Sequence, residues 1–107
     1  MTKSAIGIGP RGRAVATNMK RLRTVRGMSL KALSDALNAA GRSLSQDAIN
    51  KIENGAEEGT VRQVRRIDVD DLAALASVLH VTVDHLLTPP DQLNIGVVVS
   101  AAGADDA

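Results

Sequence analysis

The chain has 107 residues, enough for one small domain with tails, and it contains no Phe, Tyr or Trp. Its core must therefore be aliphatic and small, which favours dimerisation as a source of extra stability. The lack of aromatic side chains also argues against binding of single-stranded nucleic acid, which usually depends on stacking. Disulfides and thiolate metal sites are excluded because there is no Cys. No apolar run is long enough to cross a membrane, and the first residues do not resemble a signal peptide, so we expect a cytoplasmic protein.

Charge is divided along the sequence. Residues 1–66 hold all 13 Lys and Arg against five acids, a net charge of +8, whereas residues 67–107 hold seven Asp and no base, a net charge of −7. A basic front and an acidic rear are typical of a surface that binds a polyanion. A solvated surface with a charge dipole has the same pattern, so both interpretations remain open.

Residues 1–13 are predicted to form a flexible basic arm. They contain the run GIGPRG, which formally matches a dinucleotide-binding fingerprint, but no adequate strand precedes it and Pro10 interrupts it. We therefore expect no bound nucleotide. Lys3, Arg11 and Arg13 in such an arm would be able to reach phosphates or a minor groove. The alternative is a disordered terminus with no contacts.

Five helices are predicted between residues 14 and 88, the span of the predicted folded domain. Apolar residues recur every three or four positions within each of them. In chain order the predicted helices are Ala14–Arg26, Leu30–Ala40, Gln46–Asn54, Asp68–Leu79 and Val83–Leu87. The predicted N-caps are Ser29, Ser45, Asp68 and Thr82, and the predicted terminating glycines are Gly27, Gly41 and Gly55. Gly55 is expected to be left-handed, and the buried stripe of the first helix is expected to end at Val25 or Arg26.

The third predicted helix has two chemically different faces. Ala48, Ile49 and Ile52 form an apolar stripe. The opposite face carries hydrogen-bonding side chains that suit the edges of bases in a major groove: Gln46, Asp47, Asn50 and Lys51. An ordinary amphipathic surface helix is the alternative.

The motif DAINKIENG resembles the recognition helix of the phage repressor/Cro-type (XRE) family of helix-turn-helix DNA-binding proteins. RRIDVDDLAALASVLHV is similar to a segment of actinobacterial and actinophage members, and the resemblance covers roughly residues 15–87. It implies an all-α fold, a compact five-helix lambda-repressor-like domain. It further implies base contacts from Gln46, Asp47, Asn50 and Lys51, and a structural ion pair between Arg23 and Glu53.

Contacts to DNA phosphates are also implied by the resemblance and by the basic residues near it. SLKALSDAL resembles the family's T-Q-x-x-L-A, but Leu30 stands where the family often has a phosphate-holding Gln, so Ser29 or Lys31 would have to replace it. The full predicted set is Arg21, Arg23, Ser29, Lys31, Ser45, Asn54, Arg62, Arg65 and Arg66.

Three segments depart from the family pattern. The turn at 38–44 is longer than usual, and Leu44 is predicted to fold back onto the core. The segment 56–67 is an atypical basic loop, predicted to be a short helix, a wing-like hairpin or a mobile loop without contacts. The tail 89–107 contains the β-prone run LNIGVVVS, which we expect to pair with Ile6–Ile8 or to form a dimerisation strand; a partly disordered tail is the alternative.

The function predicted from these patterns is that of a sequence-specific regulator of transcription that binds double-stranded DNA. A repressor is favoured, a phage immunity repressor or a host regulator, acting as a homodimer on a pseudo-palindromic operator. The alternatives are the antitoxin of a toxin–antitoxin pair and a protein-interaction module on the same fold. We expect no enzyme, cofactor, membrane or small-molecule ligand. We also expect no metal site, because His80 and His85 lack a clear third ligand.

Overall fold

The computed structural model describes residues 8–93, which form five helices and contain no strand. The helices are α1 (Pro10–Val25), α2 (Leu30–Ala39), α3 (Gln46–Asn54), α4 (Val69–Leu79) and α5 (Val83–Leu87). A single further helical turn follows at residues 90–93. The predicted all-α class is confirmed. The predicted strand within the C-terminal tail and its pairing with Ile6–Ile8 lie outside the described residues.

Helices α2, α3, α4 and α5 each begin at a side-chain N-cap that the sequence predicts. The hydroxyl oxygens of Ser29 and Ser45 accept from the amides of Ala32 and Ala48 at 3.0 and 3.1 Å. Thr82 caps α5 in the same way, and Asp68 caps α4 as part of a reciprocal capping box. An N-cap acceptor satisfies an amide that has no partner inside the helix, so these starts are set locally by the sequence.

The first helix begins four residues earlier than predicted, at Pro10 rather than Ala14. Proline suits the first helical position, because its fixed φ is already helical and its missing N–H would have no partner there. The carbonyl of Gly9 accepts from the amide of Arg13 at 2.9 Å. Residues 10–13, predicted to belong to a flexible arm, are therefore the first turn of α1.

The backbone at the helix ends differs from the prediction at Gly55. Gly55 has φ −67° and ψ −7°, a right-handed conformation, so its expected left-handed geometry is wrong. A Cβ atom at this position would lie 3.1 Å from the carbonyl oxygen of Ile52, so here glycine provides space. The left-handed ends are found at Gly27, at Gly41 and, without a glycine, at His80, where φ is 59°.

One aliphatic core joins all five helices. Val15 and Met19 of α1 pack with buried residues of α2, α3, α4 and α5, and Leu44 folds back into the same cluster as predicted. The extension of the α1 stripe to Val25 is wrong, since that side chain is 78% exposed at the last residue of the helix. Arg26 is also exposed, and its guanidinium donates to the carbonyl oxygen of Leu79.

Helix packing leaves α3 with one free side. α1 packs against α3, α4 and α5, while α2 packs against α3 and α4. Two helices thus support the inner face of α3, and its outer face points to solvent. α2 and α3 form the helix-turn-helix pair, joined by the long turn at residues 40–45.

Candidate functional site

The outer face of α3 presents polar side chains, and its inner face is closed. Ile49, Ile52 and Glu53 are at most 5% exposed. The four predicted base-contacting residues lie together on the opposite face: Gln46, Asp47 and Asn50 are exposed, and Lys51 is half-buried. The structure therefore brings this set together on a helix that cannot rotate without opening the core.

Two of these four side chains pair with each other. Lys51 Nζ lies 2.9 Å from Asp47 Oδ2, one turn earlier on α3. Such an exposed i,i+4 pair is worth only about 0.3–0.5 kcal/mol, so it opens readily when a competing partner arrives. In the absence of a partner the pair holds Lys51 close to the helix surface.

A buried ion pair locks α3 to α1. Arg23 donates from Nε to Glu53 Oε2 at 2.8 Å and from Nη2 to Oε1 at 3.0 Å. Its Nη1 also donates to the carbonyl of Met28 at 2.8 Å, ahead of α2. The two side chains are only 15% and 4% exposed, and the hydrogen bonds that Arg23 donates to Glu53 raise the pKa of Arg23 above its ordinary value. Arg23 thus connects three segments internally, which leaves few of its N–H groups for a phosphate.

The other predicted phosphate contacts have differing surroundings. Ser29 and Ser45 are N-caps, and Lys31 forms a solvent-exposed pair with Asp35 at 2.9 Å. Three further predicted phosphate contacts have exposed side chains: Arg21, Arg62 and Arg66.

The basic loop at 56–67 lies along the C-terminal half of α3. Asn54 Nδ2 donates to the carbonyl of Gln63 at 2.8 Å, and the amide of Arg65 donates to the carbonyl of Lys51 at 3.2 Å. The loop is neither the short helix nor the hairpin predicted as options, because it takes its backbone partners from α3. Val61 is fully exposed, whereas Ile67 at the end of the loop packs against the core. Asn54, a predicted phosphate contact, is already engaged with the loop.

An open cleft of about 790 Å³ lies between this loop, the C-terminal half of α3 and the start of α1. Its lining includes three basic side chains, those of Arg13, Lys51 and Arg62, and two acidic ones, those of Glu57 and Glu58. Arg13, predicted to be part of the arm, is fixed by a hydrogen bond from Nη1 to the carbonyl of Ile8 at 2.8 Å.

A buried acid that the sequence did not single out anchors this loop. Asp71, on the first turn of α4, is 0% exposed and accepts from Arg42 Nε at 2.8 Å and from Arg65 Nη1 at 2.9 Å. Arg42 Nη2 also donates to Asp68 at 2.9 Å. The pKa of Asp68 is lowered, first by its hydrogen bond from the Asp71 amide and then by the charge of Arg42. The hydrogen bond to Asp71 raises the pKa of Arg42.

Only part of this network has a signal in the sequence. Asp68 and Asp71 are spaced as a capping box, D-x-x-D, and this pattern is visible before folding. Nothing in the pattern indicates that Asp71 is buried or that Arg42 is its partner. Arg65, a predicted phosphate contact, donates one hydrogen bond to this carboxylate, and its side chain stays 36% exposed.

Among residues 8–93, no group of three or more His, Asp or Glu side chains is arranged to hold a metal ion. Nor does any helix of this part of the chain have the length and apolar character needed to span a membrane.

Comparison with known proteins identifies a shared fold. No protein-family model and no curated protein sequence matches this chain. Among solved structures, it is similar to the crystal structure of the hypothetical transcription factor NHTF from Neisseria, with a TM-score of 0.60 and 19% sequence identity. The match covers 89% of this chain and 95% of the other. At this identity the likeness shows that the two chains share a helical fold over nearly their whole lengths.

Proposed function

We propose that this chain is a DNA-binding regulator of transcription that reads double-stranded DNA by placing α3 in the major groove. The observation that carries the proposal is the outer face of α3. Gln46, Asp47 and Asn50 are exposed there, while Ile49 and Ile52 anchor the same helix in the core. A rigid helix with an outer row of donors and acceptors has the shape and chemistry that a major groove accepts.

The residue types on α3 match the donor and acceptor pattern of bases. An amide such as that of Gln46 or Asn50 can address adenine through two hydrogen bonds, and Lys51 can donate to guanine. Asp47 would accept from cytosine, or repel phosphates and so restrict the register. Lys51 must first leave Asp47, a step that costs little because the pair faces water.

Affinity that does not depend on sequence would come from the exposed cations beside α3. Arg62 and Arg66 belong to the loop that lies along this helix. The cleft beside them has a mixed lining, in which Arg13, Lys51 and Arg62 exceed Glu57 and Glu58 by one charge. Each phosphate neutralised would add to the salt dependence of binding. The Neisseria protein with the same fold is named a hypothetical transcription factor, which agrees with this role.

The finer part of the proposal concerns the form of the regulator. We favour a repressor, of phage or host origin, that binds as a two-fold dimer to a pseudo-palindrome with half-sites about one helical turn apart. The C-terminal tail, residues 89–107, is the proposed dimerisation segment.

Selection of bound duplexes from a random DNA pool at moderate salt tests the proposal. We expect the wild-type chain to enrich one pseudo-palindromic sequence. A double variant, Gln46→Ala with Asn50→Ala, should lose that enrichment but keep salt-dependent binding. The matched control is Asn38→Ala, which removes an exposed amide from α2, outside both α3 and the C-terminal tail. If the wild type enriches no sequence and shows no salt-dependent binding to duplex DNA, the proposed function is wrong.

A further inference from the structure

The feature that the proposed function does not use is the buried carboxylate of Asp71. It is 0% exposed, lies on α4, and is not on the outer face of α3. A carboxylate withdrawn from water is stable only when it is paired and hydrogen-bonded. Asp71 meets this requirement with Arg42, Arg65 and the backbone amide of Asp68, the last at 3.2 Å.

The two arginines that reach Asp71 come from opposite ends of α3. Arg42 lies in the turn that leads into Ser45, the N-cap of α3. Arg65 lies in the loop that leaves the C-terminal end, and its amide donates to the carbonyl of Lys51. Both segments are irregular in backbone conformation, so their positions depend on such side-chain anchors.

One carboxylate therefore fixes both connections of α3 to a single point on α4. From this geometry we infer that Asp71 is the positioning residue of the recognition helix. By holding Arg42 and Arg65 it sets the direction of α3 and the place of the loop beside it, and so determines DNA specificity without touching DNA. The inference rests on the proposed function, since it assigns a role in reading DNA.

The side-chain geometry also separates the two arms of this anchor. Release of Arg42 loosens the entry to α3, next to Gln46. Release of Arg65 loosens the loop that is hydrogen-bonded to Lys51 and Asn54. The two losses should therefore alter recognition at different base pairs of one half-site.

The test is Asp71→Asn, compared with Asp70→Asn as the matched control. Asn has the size of Asp71 and keeps an oxygen that can accept from the Asp68 amide. It loses the negative charge, and its NH₂ group faces the arginine donors. Asp70 is on the same helical turn, is exposed, and forms no ion pair within the described chain, so its variant changes the net charge equally. Selection from the random DNA pool is repeated with both, together with Arg42→Met and Arg65→Met.

We expect Asp71→Asn to lower the ratio of selected to random DNA affinity by about tenfold, the loss typical of one good base contact. Asp70→Asn should keep the wild-type ratio. Arg42→Met and Arg65→Met should change different positions of the selected sequence, whereas loss of a phosphate contact would weaken all sequences alike. These two variants keep the test valid if Asp71→Asn fails to fold, because each leaves Asp71 with one arginine.

Hydrogen exchange without DNA provides an independent measurement. The amides of Arg42 and Arg65, which donate to Leu37 and Lys51, should exchange faster in Asp71→Asn, while the amide of Leu86 in α5 should not. If the variants fold but keep the wild-type specificity profile and exchange rates, the positioning role is overturned and the proposed function stands. If the wild type itself enriches no DNA, the proposed function fails, and with it any role of Asp71 in reading DNA.

Discussion

Replacing Glu53 by Gln tests the buried pair that holds α3 against α1. The wild-type carboxylate accepts two hydrogen bonds from Arg23 at 2.8 and 3.0 Å, and its side chain is only 4% exposed. The Gln amide can accept one of these bonds, but its NH₂ group would face an arginine donor. Arg23 would then remain as a largely desolvated cation without a counter-charge.

The size of the loss follows from burial. Breaking a fully buried pair by removing one partner costs about 3–5 kcal/mol, and here Arg23 is 15% exposed and Gln keeps one bond, so we expect about 2–3 kcal/mol. For a domain of this size that corresponds to a fall in Tm of about 10–20 °C. Asp35→Asn is the matched control, because Lys31–Asp35 has a similar distance, 2.9 Å, but side chains 69% and 64% exposed. That variant should cost no more than about 0.5 kcal/mol.

Urea unfolding followed by far-UV circular dichroism measures both losses, since the sequence has no Tyr or Trp for fluorescence. If Glu53→Gln loses no more stability than Asp35→Asn, the Arg23–Glu53 pair does not lock α1 to α3. The same result would weaken the argument that α3 is a rigid reading helix.

Five further substitutions, one of them a control, are predicted to have distinct outcomes. Lys51→Ala should reduce discrimination at one base pair by about 1–3 kcal/mol, whereas Arg66→Ala should weaken binding to all sequences alike and reduce the salt slope by about one. Competition binding over a salt series measures both effects. An unchanged sequence preference in Lys51→Ala would contradict the recognition-helix assignment. His80→Gly should stabilise the fold by about 1 kcal/mol, because only glycine adopts φ 59° without steric cost, while His80→Ala should give no gain in urea unfolding. Asp68 has a lowered pKa in the folded state, so its contribution to stability is complete only well above the unfolded pKa and is lost as the pH falls through the folded value. Asp68→Asn keeps an N-cap but lacks this charge, so its free energy of unfolding should fall less steeply than that of the wild type as the pH is lowered from about 5 to about 2. If the two free energies of unfolding fall in parallel with pH, this prediction is wrong.

Local chemistry explains why most of the fold is predictable from the sequence. A Ser, Thr or Asp followed by a helical apolar repeat begins a helix within three residues, and Ser29, Ser45 and Thr82 all do so. The stripe that contains Ile49 and Ile52 decides which side of α3 is buried. The outer face of the candidate site follows from that stripe without any knowledge of the remaining chain.

Errors at the helix ends occurred where local rules compete. Pro10 lies within the predicted flexible arm, but at the first helical position proline favours a helix. Gly55 suits a left-handed end by residue type, yet its backbone is right-handed, and the space it leaves lies beside the carbonyl oxygen of Ile52 and the side chain of Ile8. These outcomes depend on where the following segment travels, which a local pattern does not contain.

The sequence by itself determined the helices, their caps and the row of polar side chains on α3, because each depends on residues within one or two turns. Only the tertiary structure decided which charged side chains pair with each other. Arg42 and Asp71 are 29 residues apart in the chain yet lie 2.8 Å apart, and the loop at 56–67 is placed by its bonds to α3 and α4. Pairing of distant charges depends on how helices pack, so the ion pair of Arg65 with Asp71 becomes visible only when the fold is assembled.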